Sequence, residues 1–341
     1  MRRTSPISVL RARPSRQVYL ATAIAVVLAV SGSEAIAAHV SCGDTITADT
    51  TLDSDLVDCP NNGIVIGADD ITLDLNGHTI DGDDAFVDPC PENEFCDFGV
   101  ANDGHDGVRI TGGTVREFAN GVVIFGARRN SLGDLSTVDN TLAGILLVDT
   151  ARSRVRGNSA SGNAGPDSGV GIVLFESHNN RIARNTVAGN AELAVHLLRS
   201  DHNRIANNRV RGHREGGILV EGRANQIVRN RLVRDGILIS IFTPHGRAVD
   251  NVVARNHVRG SRRTGISVDP GPKGTVIRRN HVFGSGRDGI NILSSRTTLA
   301  HNEARHNKGL GIKAVEGVID GGGNRASGNG DPRQCVNVIC Q

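Results

Sequence analysis

Two carboxylates, Glu221 and Asp269, and the pair His245 and Arg247 are the ionisable residues with the most suggestive placement. Glu221 and Asp269 each lie four residues after the first position of a repeated Gly-Ile-x-aliphatic phrase, as in Gly217-Ile218-Leu219-Val220 and Gly265-Ile266-Ser267-Val268. His196, Ser267, Asn291 and Lys313 lie two residues after that position in their own copies, and Ser240 four after. Positions two apart in a strand share a face, so these side chains line up on one side. Earlier copies hold Leu146, Val148, Val173 and Phe175 there. The face changes from aliphatic to ionisable along the chain, as a polar ligand site requires. If successive copies stack at ~4.8 Å, Glu221 and Asp269 are about 10 Å apart. That spacing is nearer a general acid and base with a water between them than a nucleophile pair. One of the two could equally act as base and the other as a charge neutraliser. His245 as a base, with Arg247 stabilising enolate-like charge, would instead support proton abstraction. Polar loops and solvated strand faces also occur without any function, and His196 alone on such a face is weak evidence.

What positions these residues is a repeat. An asparagine recurs every 22 to 27 residues, at Asn158, Asn185, Asn208, Asn230, Asn256, Asn280, Asn302 and Asn324. Each sits in one phrase, of which Asn180-Arg181-Ile182-Ala183-Arg184-Asn185-Thr186-Val187 is a copy. Alternation over three to five residues is strand periodicity, and no stretch carries a long 3.6-residue pattern. A period in this range means stacked supersecondary units. The compact solution is a three-faced parallel coil. Ile182, Ile205, Ile227, Val253, Ile277 and Leu299 then form one inward ladder. Val187, Val210, Leu232, Val258 and Val282 form a second, and Ile218, Ile237, Ile266, Ile290 and Ile312 a third. Stacked Asn amides would bond the coils above and below, and Asn tolerates the left-handed corner. The Gly opening each Gly-Ile-x-aliphatic strand is expected to supply φ > 0 at another corner. These Asn and Gly residues read as scaffold.

One copy breaks the spacing. The interval from ladder Asn to the Gly position is usually nine residues, but six from Asn230 to Gly236. The residues return after the strand as a longer turn, through Phe242 and His245 to Arg247. That turn lies at the rim, between the copies carrying Glu221 and Asp269.

Through its Asn ladder and Gly-Ile-x-aliphatic phrase the chain resembles the right-handed parallel β-helix family of pectate-lyase-like proteins, over roughly residues 64 to 326. The phrase from Ile71 to Gly82 resembles the first coils of NosD-like and alginate-epimerase-like members. The resemblance implies an all-β, single-domain, three-faced solenoid of about ten coils, with the Gly-Ile-x-aliphatic strands lining a substrate groove. It also implies a polysaccharide ligand, bound and processed by lyase, epimerase or hydrolase chemistry. Since the fold hosts adhesins and accessory proteins too, a non-catalytic surface or accessory solenoid is the alternative, and enzymatic activity stays open. Phe242-Thr243-Pro244-His245 resembles the Asp-Pro-His phrase of alginate epimerases, but Thr243 stands where those enzymes have Asp and Ser240 where they have Tyr. The chain holds one Tyr, Tyr19, and no Trp. A Tyr-based mechanism is therefore excluded if residues 1–38 are removed. Sugar-stacking platforms would be Phe175 and Phe242. His196, Ser267, Asn291 and Lys313 would contact the ligand.

Residues 1–38 read as a secretory signal, with Arg2, Arg3, Arg11, Arg13 and Arg16 before the apolar run from Leu20 to Val30. The mature chain should then be secreted or in the cell envelope, with no membrane span. Without five arginines and Glu34 it keeps 33 basic against 35 acidic residues, which gives no global field for nucleic acid. The six Cys lie in three close pairs, Cys42 and Cys59, Cys90 and Cys96, Cys335 and Cys340. In an exported chain they are expected as disulfides stapling the ends, in nearest-neighbour pairing. Dispersed Cys and a single Met argue against a soft copper site. Boundaries follow: an N-terminal cap at 39–63, repeats at 64–316 with an acidic loop at 81–106, and a C-terminal cap at 317–341. Clustered carboxylates in that loop could hold Ca²⁺, without EF-hand spacing.

Overall fold

Short alternating strands joined at sharp corners can bury one apolar face only by winding upon themselves. The computed structural model describes residues 39–85, 97–166, 168–241 and 247–341. They form a parallel β-helix, with no helix among the described residues. One face is a thirteen-stranded parallel sheet, from Asp44–Ile46 through Gly216–Glu221 to Cys335–Val336. The other two faces are stacks of short strands such as Arg181–Ala183 and Thr186–Ala188. They merge in the longer strands Arg109–Arg116 and Ser131–Val138. The solenoid is longer than the ten coils expected because both ends wind as coil. Leu56–Cys59 pairs with Thr79–Gly82, and Cys335–Val336 with Ile312–Ala314. The acidic segment is shorter than it reads, since Phe98–Asp103 is a strand of the long sheet. Residues 1–38, read as a signal, lie outside the described residues. No helix among the described residues is long and apolar enough to cross a membrane.

The three apolar ladders are in register. Ile182 pairs with Ile205, Val187 with Val210 and Ile218 with Ile237, and each series is buried throughout. The Asn ladder is likewise continuous. Asn208 donates its backbone N–H and its amide to Asn230 Oδ1, at 2.9 and 3.0 Å, and Asn230 does the same to Asn256. The amide of Asn230 also donates to the Ile205 carbonyl, at 2.9 Å.

Two backbone expectations are corrected. The left-handed residue at this corner precedes the Asn: Arg184, Asn207, Arg229, Arg255 and Arg279 have φ between 54° and 59°. The Asn is freed from that role, so its amide can point inward and bond. The Gly opening the long-sheet strand is required by space, not by φ. A Cβ on Gly265 would lie 2.3 Å from Val282 Cγ1 and 2.8 Å from the Gly289 carbonyl oxygen.

Polar ladders occupy all three corners. Asn180, Asn203, Asn225 and Asn251 form a second, one coil bonding the next. The third runs Asn140, Asn163, Asn190 and then changes residue type at His213, Asp235, Ser261 and Ser285 before Asn307 and Asn329 resume.

Cys42–Cys59 and Cys335–Cys340 are disulfides, one at each end, while Cys90 and Cys96 lie outside the described residues. The first spans 17 residues and the second five. Unfolded-chain entropy predicts that replacing Cys42 and Cys59 by Ser costs about 3 kcal/mol, and the C-terminal pair about 2 kcal/mol. Urea denaturation of the two variants should show that order.

Candidate functional site

The short coil leaves a gap in the wall. In flanking coils three residues stand between the third-corner residue and the Gly position, Arg214-Glu215-Gly216 after His213 and Arg262-Arg263-Thr264 after Ser261. In the coil of Asn230, Asp235 is followed directly by Gly236. The two neighbouring turns therefore face each other across a missing one. The result is a cavity of about 320 Å³ that continues onto the outer face of the long sheet. The floor carries Leu193, Leu219 and Leu238, and the far end carries Ser267, Asp269 and Asn291. Behind it lies a buried polar chain. Asn190 Nδ2 donates to His213 Nε2 at 3.1 Å, and His213 Nδ1 donates to Asp235 Oδ2 at 3.1 Å. Asp235 also accepts from the Gly212 and His213 backbone N–H groups. The ladder is thus carried through the short coil by an imidazole and a carboxylate, neither exposed.

The long sheet brings most of the predicted residues onto one face, but not to one place. Ser240 donates its hydroxyl to Asp269 Oδ2 at 2.7 Å, which orients the carboxylate. Ser267 and Asn291 are register partners on adjacent strands, and both line the cavity. Asn291 Oδ1 is buried without a hydrogen bond. Lys313 lies one coil beyond, exposed. His196 Nε2 lies 3.2 Å from Glu221 Oε1. Glu221, however, is 2% exposed, and neither it nor His196 lines the cavity. Its register partner on the preceding strand is Leu198. Arg247 is exposed, while Phe242 and His245 lie outside the described residues. Phe175 is not an open stacking platform, because the Arg199 guanidinium sits 4.7 Å over its ring. The six-residue interval is the signal of the notch in the sequence. Among the described residues its consequence is the gap left before the strand.

A parallel β-helix with a polar cavity on the outer face of its longest sheet is the class of protein that fold and site define. Within that class the chain belongs to the NosD family, whose model, described as a periplasmic copper-binding protein, matches residues 61–241. Several solved structures share the fold. DFA-IIIase from Arthrobacter chlorophenolicus has a TM-score of 0.56 at 15% identity, over 71% of this chain and 67% of that one. An alginate lyase from a Paenibacillus strain has 0.54 at 13% identity, over 70% and 86%. The Dettilon tailspike protein has 0.52 at 19% identity, over 88% and 59%. At such identities the likeness establishes the fold alone. No curated protein matches the sequence. The family's compartment agrees with the two disulfides, which persist in oxidising surroundings.

Copper is named by the family description, and the described residues do not fit it. No three His, Cys, Asp or Glu side chains converge among them, the described cysteines are disulfide-bonded, and the single Met is Met1. His257 is the best neutral imidazole, held below the usual value by burial and then by His281 and Arg231. Its ring stacks on His281 at 4.9 Å and 4°, so the in-plane lone pairs run parallel and do not converge. Two described carboxylates of the segment 81–106 are taken up by separate partners. Asp81 pairs with Arg116 at 2.7 Å, and Asp106 accepts from the Arg128 N–H.

Proposed function

We propose that this protein binds a polysaccharide chain in the cavity on its long sheet and processes it there, with Asp269 as the proton-accepting group. The observation that carries the proposal is Asp269 itself. It lines the cavity, and the Ser240 hydroxyl holds one carboxylate oxygen, which sets the direction of the other. A sugar ring has apolar C–H faces and hydroxyl edges. The leucine floor suits the first, and the polar side chains of Ser267 and Asn291 suit the second. An alginate lyase among the proteins of this fold supports a glycan ligand. With Glu221 buried, the carboxylates open to the cavity are Asp269 and Glu215, and the Ser240 hydroxyl on Asp269 favours it as the base for proton abstraction by a lyase or epimerase. The same burial favours a second reading, a non-catalytic accessory or surface solenoid that uses this face for contact only. A panel of uronate and neutral glycans separates them. Unsaturated products or new reducing ends support an enzyme, and binding without product supports the second reading. Retention of no glycan at all would overturn the polysaccharide reading and leave the accessory one.

A further inference from the structure

The walls of the notch are unusually rich in one residue type. Arg214, Arg234, Arg262, Arg263 and Arg287 all line it. Facing them are Glu215, Asp269 and the buried Asp235, so cations exceed carboxylates in a chain whose described body is close to neutral. Arg262 has a structural role, since its Nη1 reaches across the short coil to the His213 carbonyl at 3.4 Å and ties the walls together. Arg214, Arg234, Arg263 and Arg287 form no ion pair among the described residues, although other surface arginines do, such as Arg199 with Glu176 and Arg223 with Asp201. Arg234 is placed at a cost. It has φ 68° at a corner where Gly162, Gly189, Gly212, Gly260, Gly284 and Gly328 serve in most other coils, and Asp139 and His306 in two. A side chain in this conformation costs about 1 kcal/mol relative to Gly. Several uncompensated guanidinium groups around a part-enclosed space make a site for anionic oxygens, which they bind with paired, directional hydrogen bonds.

We propose that the notch holds the anionic groups, carboxylate or sulfate, of an acidic polysaccharide, with Arg234, Arg263 and Arg287 as the binding charges. This rests on the polysaccharide reading above and narrows its ligand to an acidic chain. The leucine floor continues the same path toward Asp269, so a sugar whose acid group sits in the notch has its neighbour at the carboxylate. A hydrogen bond to a charged group is worth enough that each arginine should matter by about ten-fold in affinity.

The test is calorimetric titration of the full exported chain with oligouronate, a sulfated galactan, a neutral glucan and a single-stranded oligonucleotide. The proteins are wild type, Arg234→Gly and the pair Arg263→Ala with Arg287→Ala. Arg234→Gly relieves a strained corner, and the other two arginines are exposed, so thermal melts should stay close to wild type. The expected result is binding of the uronate, the sulfated chain or both, weakened by salt, by about ten-fold in the single variant and about a hundred-fold in the double variant. Acidic-glycan binding that both variants leave unchanged overturns the notch assignment. Equal binding of neutral glucan, insensitive to the variants, overturns the acidic ligand while the polysaccharide reading stands. Loss of every glycan signal overturns both, and preference for the oligonucleotide overturns the ligand class.

Discussion

Asp269→Asn should lower turnover of the glycan by about a hundred- to ten-thousand-fold while changing its affinity by less than about ten-fold. The carboxylate lines the cavity, and Ser240 holds it at 2.7 Å. An amide can accept the same Ser240 hydroxyl, so the fold and the ligand path should persist while the basic oxygen is lost. Steady-state rates measured with the glycan identified by the panel give the comparison. Ser240→Ala should cost less, about ten-fold, because that hydroxyl positions the carboxylate. Glu221→Gln carries the sharper discrimination. Glu221 is buried beside His196 and does not reach the cavity, so its replacement should leave turnover within about ten-fold of wild type. A collapse of turnover in Glu221→Gln with normal activity in Asp269→Asn would reverse the assignment. Wild-type rates in Asp269→Asn would remove the base altogether.

Asn230→Ala should destabilise the solenoid by about 3–5 kcal/mol, more than a typical single substitution. The Asn230 side chain accepts from the Asn208 N–H and amide, and donates to the Ile205 carbonyl and to Asn256 Oδ1. Alanine leaves the Asn208 N–H without its acceptor and the Ile205 carbonyl without this donor, both away from water. Each such group costs about 1–3 kcal/mol. Coils contact mainly their neighbours, so the loss weakens two interfaces at once. The midpoint of urea unfolding reports it. Arg209→Ala, an exposed strand residue on the adjacent coil, serves as control and should change stability by less than about 0.5 kcal/mol. Equal midpoints for the two variants would mean that the ladder amides contribute nothing net.

The repeat was legible residue by residue because its physics is local and periodic. Inward aliphatics at alternate positions and an Asn at the same corner of each coil leave few ways to pair strands, so the registers of Ile182 with Ile205 and Ile218 with Ile237 follow from counting. The second ladder was not read from the sequence, although Asn180, Asn203, Asn225 and Asn251 each stand five residues before the first. The left-handed Arg184 and Arg229 were not legible, because φ at an ordinary side chain leaves no mark in the sequence. Nor was the steric need for Gly265, which depends on Val282 and Gly289 from other coils.

The site divides in the same way. From the chain alone came the outward face carrying Glu221, Asp269, Ser267 and Asn291, and the one coil with a six-residue interval. Spacing along a strand determines which side a residue faces. It does not determine what covers that side. Only the tertiary structure separated Asp269, which lines the cavity, from Glu221, which is buried outside it. Only it showed that three missing residues make a notch, because a gap is bounded by the turns of the coils before and after it. The arginines that line that notch come from four coils, and their convergence is a property of stacking, not of any single repeat.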